Sequence, residues 1–552
     1  MKNLRIGLLL DDRFSSKYVY ELAEWAMHQT NLEITHLIFN SPQKKAGFRN
    51  LLERINFKFL RQKASERIFS SIIFIEKILI RFSKLHRHHF DKFDLTKLID
   101  KQITIRPEFV NDASNCQYSE FDVRRVSALD LDLIIRCGSG RIDGDILRAA
   151  RLGVISYSNG SESLHREDKS CFWECYNKAP KTGFSIQTLT DKLTRSEILL
   201  SGFFPTFFCF SLNQANMYRK SGPHFHSLLS RIAASRELPR ENLYLRSFTS
   251  TDRTPNVHES FVYLFKVIYR LSKKILYRST TFEKKWGLSF IQSNWNDVNT
   301  SLRNEAIAPK GHFWADPFIY AHNGRTYCFV EDYVYKTRLG HIAVLEVSNG
   351  EVVHLGDCIK KPFHLSFPFL FQYRGDLYMC PEASASSQIQ LYRCVEFPLH
   401  WEPSAIIMDD VSAADTMLFE HAGLWWMLTS IDTSGSNDYT SELYLFYADS
   451  PLANDWTPHP LNPICIDSEG GRNAGLIMED GKILRLAQRQ GYDQYGAGLL
   501  MFEVTELTKL VYSQRLVSQL NPSLSKGQIG THHLSTTGAV TVFDHVSRVF
   551  SP

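Results

Sequence analysis

The chain contains no run of about 20 apolar residues, the length needed to cross a bilayer as a helix. Its longest candidate, ERIFSSIIFIEKILIRFSKLH at residues 66–86, is broken by Glu76, Lys77 and Arg81. No transmembrane helix is therefore expected. The ten cysteines form no CxxC pair and no zinc-ligand spacing, Cys171 and Cys175 standing four apart. That excludes a zinc ribbon or a thioredoxin-like motif and predicts reduced thiols, with no metal site. The opening MKNLRIGLLLDD has too short an apolar run and the wrong flanks for a signal peptide, and reads as a first buried strand. These absences predict a cytoplasmic protein, with peripheral attachment at the inner membrane face as the alternative.

Net charge is also scarce, +4 over 552 residues, but the balance hides two opposed halves. Residues 283–552 carry 19 Lys and Arg against 30 Asp and Glu, whereas the remainder carries 44 against 29. A basic first half suits an anionic partner such as a nucleotide, a phosphate or a membrane surface; an acidic second half suits neutral or cationic sugars. No nucleic-acid partner is expected, and the oligomeric state is open. Residues 66–86 and Ser260 to Ser279 both repeat apolar residues at helical spacing with Lys and Arg between them. Each reads either as a helix packed on the protein or as one lying on an anionic membrane.

What is abundant is repetition. Five times an apolar run, a glycine turn and a second apolar run recur, at Gly324, Gly375, Gly423, Gly481 and Gly538, in steps of 51, 48, 58 and 57 residues. Each unit reads as an antiparallel hairpin whose glycine supplies the tight turn. A repeat of this period predicts propeller blades. The segment WGLSFIQSNW, from Trp286 to Trp295, is the natural strand to complete the fifth blade.

A hairpin returns its second strand to the end where the first began, so the repeat also predicts a site. Eight residues before each glycine stand Asp316, Phe367, Asp415, Asn473 and Gly530; seven after stand Glu331, Glu382, Ser430, Gln488 and His545. Both sets are expected to ring one mouth of a central channel. Carboxylates gathered there raise one another's pKa, a cost tolerated where a ligand or a reaction needs it. Solvated strand ends are the plainer reading of any one of them. Trp314, Trp425 and Trp426 offer faces for sugar rings or fill the core. Arg472, His364 and His532 are placed to read hydroxyl, carboxylate or phosphate groups, or serve structure alone.

The first half alternates strands and helices. LRIGLLL, a helix over Lys17 to Gln29, LEITHLIF, LDLIIRCGSG, a helical DGDILRAA and GVISYS give a βαβ rhythm and predict a Rossmann-like α/β domain with a parallel sheet. The stretches DLIIRCGSGRIDGDILRAARLGVISYSNG and FWECYNKAPKTGFSIQTLTDKLTRSEILLSG resemble the catalytic domain of the methionyl-tRNA and sugar formyltransferase superfamily. That resemblance implies a domain over residues 1–240 with a helical insertion at about 50–92, followed by a helical linker over 241–285. Family members pass a formyl group from 10-formyltetrahydrofolate to an amine, using an Asn-x-His pair and a later Asp. Here those positions hold Ser156, Ser158 and Thr194. Serine is no base near neutral pH without a partner, so the resemblance implies a degenerate domain. No cofactor is required, although residual folate or nucleotide-sugar binding is open.

The second half resembles another family. GHFWADPFIY, HLSFPFLFQYRGDLYMCPEA, AADTMLFEHAGLWWMLTS, GGRNAGLIMEDGKILRLAQ and YGAGLLMFEVTEL are similar to the five-bladed propeller at the N-terminus of glucosamine inositolphosphorylceramide transferases and, more distantly, to glycoside hydrolases of the five-bladed clan. The resemblance implies an all-β propeller over residues 286–548. It implies Asp316 as base or nucleophile, Asp415 as the residue that tunes pKa and Glu382 as the acid, with Glu331, His364, Arg472, Gln488, His532 and Trp314 around the substrate. Three functions follow from the sequence. The first is a carbohydrate-active protein of surface-glycan assembly that cleaves or transfers a sugar. The second is a non-catalytic glycan-binding or scaffold protein. The third, an amino-sugar N-formyltransferase, is disfavoured by the three substituted positions.

Overall fold

The computed structural model describes residues 3–41, 57–109, 115–138, 141–159, 171–190, 197–239, 253–279, 282–298, 303–348, 351–520 and 528–550. The chain divides into two compact units, Met1–Lys273 and Lys274–Pro552. Among the described residues no helix is long and apolar enough to cross a membrane.

The first unit is built on a seven-stranded sheet in the order Ile198–Pro205, Lys181–Thr188, Val154–Asn159, Leu133–Arg136, Leu4–Leu10, Leu32–Asn40, Gln102–Ile105. The last five run parallel, while Lys181–Thr188 is antiparallel to both of its neighbours. One face packs against the helices Lys17–Met27 and Phe210–Ser235 through Leu22, Ala26, Leu228 and Ile232.

The expected Rossmann-like formyltransferase domain is overturned. Among the described residues strands take 48% and helices only 22%, and within the first unit the βαβ alternation read from the sequence is not sustained. DGDILRAA, expected as a crossover helix, is a four-residue 3₁₀ turn, Asp145–Arg148, entered through Gly144 at φ +87°. The long helix Phe57–Ile80 buries Phe69 and Ile72 against Phe172, Phe210 and Tyr263, off the core beneath the sheet. Two antiparallel strands close one side of what was read as a parallel sheet. Ser156 pairs with Gln187 and Arg136, and Ser158 with Ser185, as ordinary ladder positions. Thr194 lies outside the described residues.

The second unit is a ring of five antiparallel sheets. The first four blades open on the inner strands His312–His322, Ser366–Tyr373, Ala413–His421 and Asn473–Glu479. Asn323-Gly324, Arg374-Gly375, Ala422-Gly423 and Asp480-Gly481 all carry positive φ at both residues. That is the type I′ geometry matching the right-handed strand twist, and it explains why glycine recurs at the second turn position. In the fifth blade Phe282–Ile291 pairs along its length with Thr541–Phe550, so strands from opposite ends of this unit share one sheet. Apolar residues fill the space between blades, Phe367, Met417, Trp426 and Leu445 being fully buried.

Candidate functional site

The inner strand of each of the first three blades breaks register at its channel end. The ladder is interrupted between Ala315 and Phe318, Ser366 and Phe369, and Ala414 and Met417. Asp316, Phe367 and Asp415 sit in these breaks with φ of +48°, +47° and +51°. Left-handed backbone at a non-glycine residue costs about 1–3 kcal/mol and persists where the surroundings enforce it. A bulge frees amides from the ladder and re-aims side chains. The freed amides are used: Phe367 N donates to Asp316 Oδ2 at 3.3 Å, and Asp316 N donates to Asp544 Oδ2 at 3.3 Å. Asn473 Nδ2 donates to the Asp415 carbonyl at 2.8 Å, so the first, second and fourth blades are each tied to the one before in the ring.

Two clusters result. In one, Arg472 Nε lies 2.5 Å from Asp415 Oδ2 and its Nη2 lies 3.3 Å from both Asp415 Oδ1 and Glu382 Oε2. Gln488 Nε2 donates to Asp415 Oδ2 at 2.9 Å. In the other, His532 stands between two carboxylates, Nδ1 at 2.6 Å from Asp544 Oδ2 and Nε2 at 3.3 Å from Asp316 Oδ1. Asp544 Oδ1 also accepts the His532 and His533 amides at 2.8 and 3.0 Å. Glu331 Oε1 lies 3.4 Å from His364 Nε2, while His364 Nδ1 accepts the Gly340 amide at 2.8 Å and so carries no proton.

Five acids, Asp316, Glu331, Glu382, Asp415 and Asp544, thus gather with two cations, Arg472 and His532. The dry surroundings force protons onto some of them. Burial raises Asp316 to about 7, opposed by His532 and assisted by Asp415 and Asp544. Burial also lifts Glu331, with Asp316 and Glu382 adding to it, and lifts Glu382, where the Asp415 charge outweighs Arg472. Burial would raise Asp544 too, but His532 and the backbone amides hold it below the ordinary carboxylate range. His532 is raised despite burial, because Asp544 and Asp316 favour its charged form. The site therefore holds proton donors and proton acceptors in contact with one another. Asp316, His532 and Asp544 also place one ligand atom each within 4.8 Å of one another, close enough to hold a metal ion, as do Asp332, His354 and Asp357 in the first blade.

Of the residues read from sequence, Asp415, Glu382, Arg472 and Gln488 meet in one cluster and Asp316 and His532 in the other, and Glu331 pairs with His364. Trp314 lies elsewhere, 4% exposed among Leu288, Phe290, Ala343 and Leu345. Trp425 and Trp426 are likewise core residues. Gly530 is not the fifth equivalent of Asp316. Leu534 pairs with Phe543 as Phe318 pairs with Phe329, so the corresponding residue is His532. The fifth turn spans four residues, between the Thr536 and Thr541 pair, and its strands are shorter, which shifts a count made from Gly538.

Three participants were missed. Asp544 faces away from the counted position His545, and the available signal was a lone charge inside the apolar run TVFDHV. Trp286 and Tyr495 place rings 3.9 and 5.3 Å from His532, and the Arg472 guanidinium lies 5.4 Å from the Tyr495 ring. Tyr495 is 37% exposed, so it offers an aromatic face beside the acids where the three tryptophans singled out do not.

Residues 292–534 match the N-terminal region of glucosamine inositolphosphorylceramide transferase 1. The chain is 34% identical over 208 residues to the Arabidopsis thaliana protein of that name, covering 37% of this chain and 27% of that one. It is 31% identical over 270 residues to the Oryza sativa subsp. japonica protein, covering 46% and 36%. The chain thus spans about a third of the length of the curated relatives it matches. Among solved structures, an α-L-arabinofuranosidase from Lactobacillus brevis overlaps 44% of this chain and 92% of its own at 16% identity, with a TM-score of 0.32. An overlap that low bears on no residue role.

Proposed function

We propose that the propeller mouth is a carbohydrate-active site that cleaves or transfers a sugar, with Asp316 and Glu382 as its acid–base pair. The observation that carries this is the unequal sharing of two cations among five acids, four of them buried and Glu382 nearly so. Asp415 takes the closest contact from Arg472 and a hydrogen bond from Gln488. Glu382 receives one contact at 3.3 Å, and burial together with the facing Asp415 charge favours its protonated form. Glycosidic cleavage needs one carboxylic acid and one carboxylate across the bond. Glu382 donates its proton to the departing oxygen, and Asp316, poised near neutrality, takes the proton of the water or acceptor hydroxyl that attacks the sugar. His532 holds Asp316 in place and Asp544 fixes His532. Tyr495 and Trp286 give the apolar face on which a sugar ring stacks.

The propeller's net negative charge and its match to a glucosamine-transferring protein support an amino sugar, carried on a glycan or a glycolipid. A binding-only reading has one observation in its favour: Arg472 already engages both Glu382 and Asp415. Incubating the full chain with amino-sugar and neutral glycosides, with and without nucleotide sugars, and following products by mass spectrometry separates the two. Product formation that depends on Glu382 supports catalysis. Saturable binding without product, unchanged in Glu382→Gln, leaves only the binding reading.

A further inference from the structure

We propose that the helices Phe57–Ile80 and Val257–Ser279 dock the protein on the surface of an anionic lipid bilayer. Both helices are apolar on two opposite sides. In the first, Phe69, Ile72 and Ile80 are buried while Phe74, Ile75, Ile78 and Leu79 are exposed, Phe74 to 64%. In the second, Tyr263 and Val267 are buried while Phe261, Phe265, Ile268 and Tyr269 are exposed, Phe265 to 70%. Residues two apart on a helix point about 200° away from each other. Phe74 therefore faces away from Ile72 and Glu76, and Phe265 away from Tyr263 and Val267.

The first helix even inverts the usual order. Its buried side carries the Glu76 carboxylate, which accepts the Ser211 amide at 2.9 Å and the Tyr263 hydroxyl, while phenyl and isoleucyl groups face outward. Packing within the unit is complete on the inner side, through Phe69, Ile72, Tyr263 and Val267 with Phe172 and Phe210. Among the described residues nothing covers the outer side, and exposed apolar surface of this extent marks an interaction site.

Charge decides the occupant. Lys77, Arg81 and Lys84 stand among the exposed apolar residues of the first segment, and Arg270 and Lys273 near those of the second, whereas Lys266 is turned to the Tyr176 carbonyl at 2.8 Å. A second copy would bring cations against cations. An anionic bilayer brings phosphates to them, and an amphipathic helix with Phe, Leu and Ile on one side and Lys and Arg beside it lies in the headgroup boundary without crossing. Neither helix is apolar enough to span.

The test is co-sedimentation of the full chain with vesicles of phosphatidylcholine alone or mixed with phosphatidylglycerol. Binding to the mixed vesicles, weakened by salt, is expected. Phe74→Ser with Phe265→Ser should lower partitioning about tenfold or more, and Arg81→Glu with Lys84→Glu should remove most of the preference for anionic lipid, each cation contributing roughly fivefold. All four positions are on the surface, and circular dichroism checks that the variants fold. Absence of vesicle binding, or wild-type binding by the Phe74→Ser, Phe265→Ser protein, overturns the proposal. So does a wild-type dimer that this variant converts to monomer without any vesicle binding, which assigns the face to a second copy.

Discussion

Asp316 is under electrostatic tension, since burial and two neighbouring carboxylates oppose its charge while His532 supports it. Its folded pKa of about 7 lies above the ordinary value near 3.8, so the native state binds this proton more tightly than the unfolded chain does. The stabilisation is full below pH 4 and is lost as pH rises toward 7. His532, also raised, acts in the same direction over its own range. The midpoint of urea unfolding should therefore fall between pH 5 and pH 8, and fall less in Asp316→Asn; an equal fall in both would remove Asp316 as the cause. Arg472 behaves differently. Arg472→Met leaves Asp415 and Glu382 buried without their cation and should cost about 3–5 kcal/mol at pH 7, measurable by denaturant titration and smaller at pH 5, where protons replace the guanidinium.

The hairpins were legible because a type I′ turn demands two left-handed residues and glycine meets that demand most easily, so the turns mark themselves in the sequence. Eight residues back from three of them the backbone turns left-handed again, at Asp316, Phe367 and Asp415, with nothing in those residue types to announce it. Tertiary contacts impose those breaks, and local propensity does not encode them. The fifth blade was misread at Gly530 for a related reason: its longer turn carries a glycine too, but in a different place. DGDILRAA failed because its apolar spacing fits a helix while its length and its left-handed Gly144 permit only a 3₁₀ turn. Close approach within the first blade gives a further prediction. A Cβ on Gly340 would lie 2.6 Å from the Leu365 carbonyl and 2.7 Å from Glu331 Oε1. Gly340→Ala should destabilise by about 1–3 kcal/mol and displace Glu331 and His364, seen as a lower melting temperature with altered ligand affinity; wild-type values for both would show the blade to be more yielding than its contacts indicate.

Over the whole molecule, composition separated a basic half from an acidic one, and the propeller half was read from its repeats while the first half was not. The antiparallel Lys181–Thr188 is buried along its length like the parallel Leu4–Leu10, so the mixed sheet of the first unit left no mark that distinguished it from a Rossmann-like one. The exposed faces of the two long helices were visible as apolar spacing, but which side is buried is fixed by Phe172 and Phe210, far away in sequence. Within the propeller two carboxylate clusters form around Asp415 and Asp316, and the proposed turnover requires one ionised and one protonated acid. Its rate should follow a bell-shaped pH profile whose lower limb reflects the coupled Asp316 group near 7. The most direct measurement compares wild type with Asp316→Asn on whichever glycoside the wild type converts, with kcat and ligand affinity determined across that pH range. Asp316→Asn should lose about 10²-fold or more in kcat, lack the lower limb, and unfold no more easily than wild type. Equal kcat and an unchanged pH profile in the variant would contradict the proposed role of Asp316.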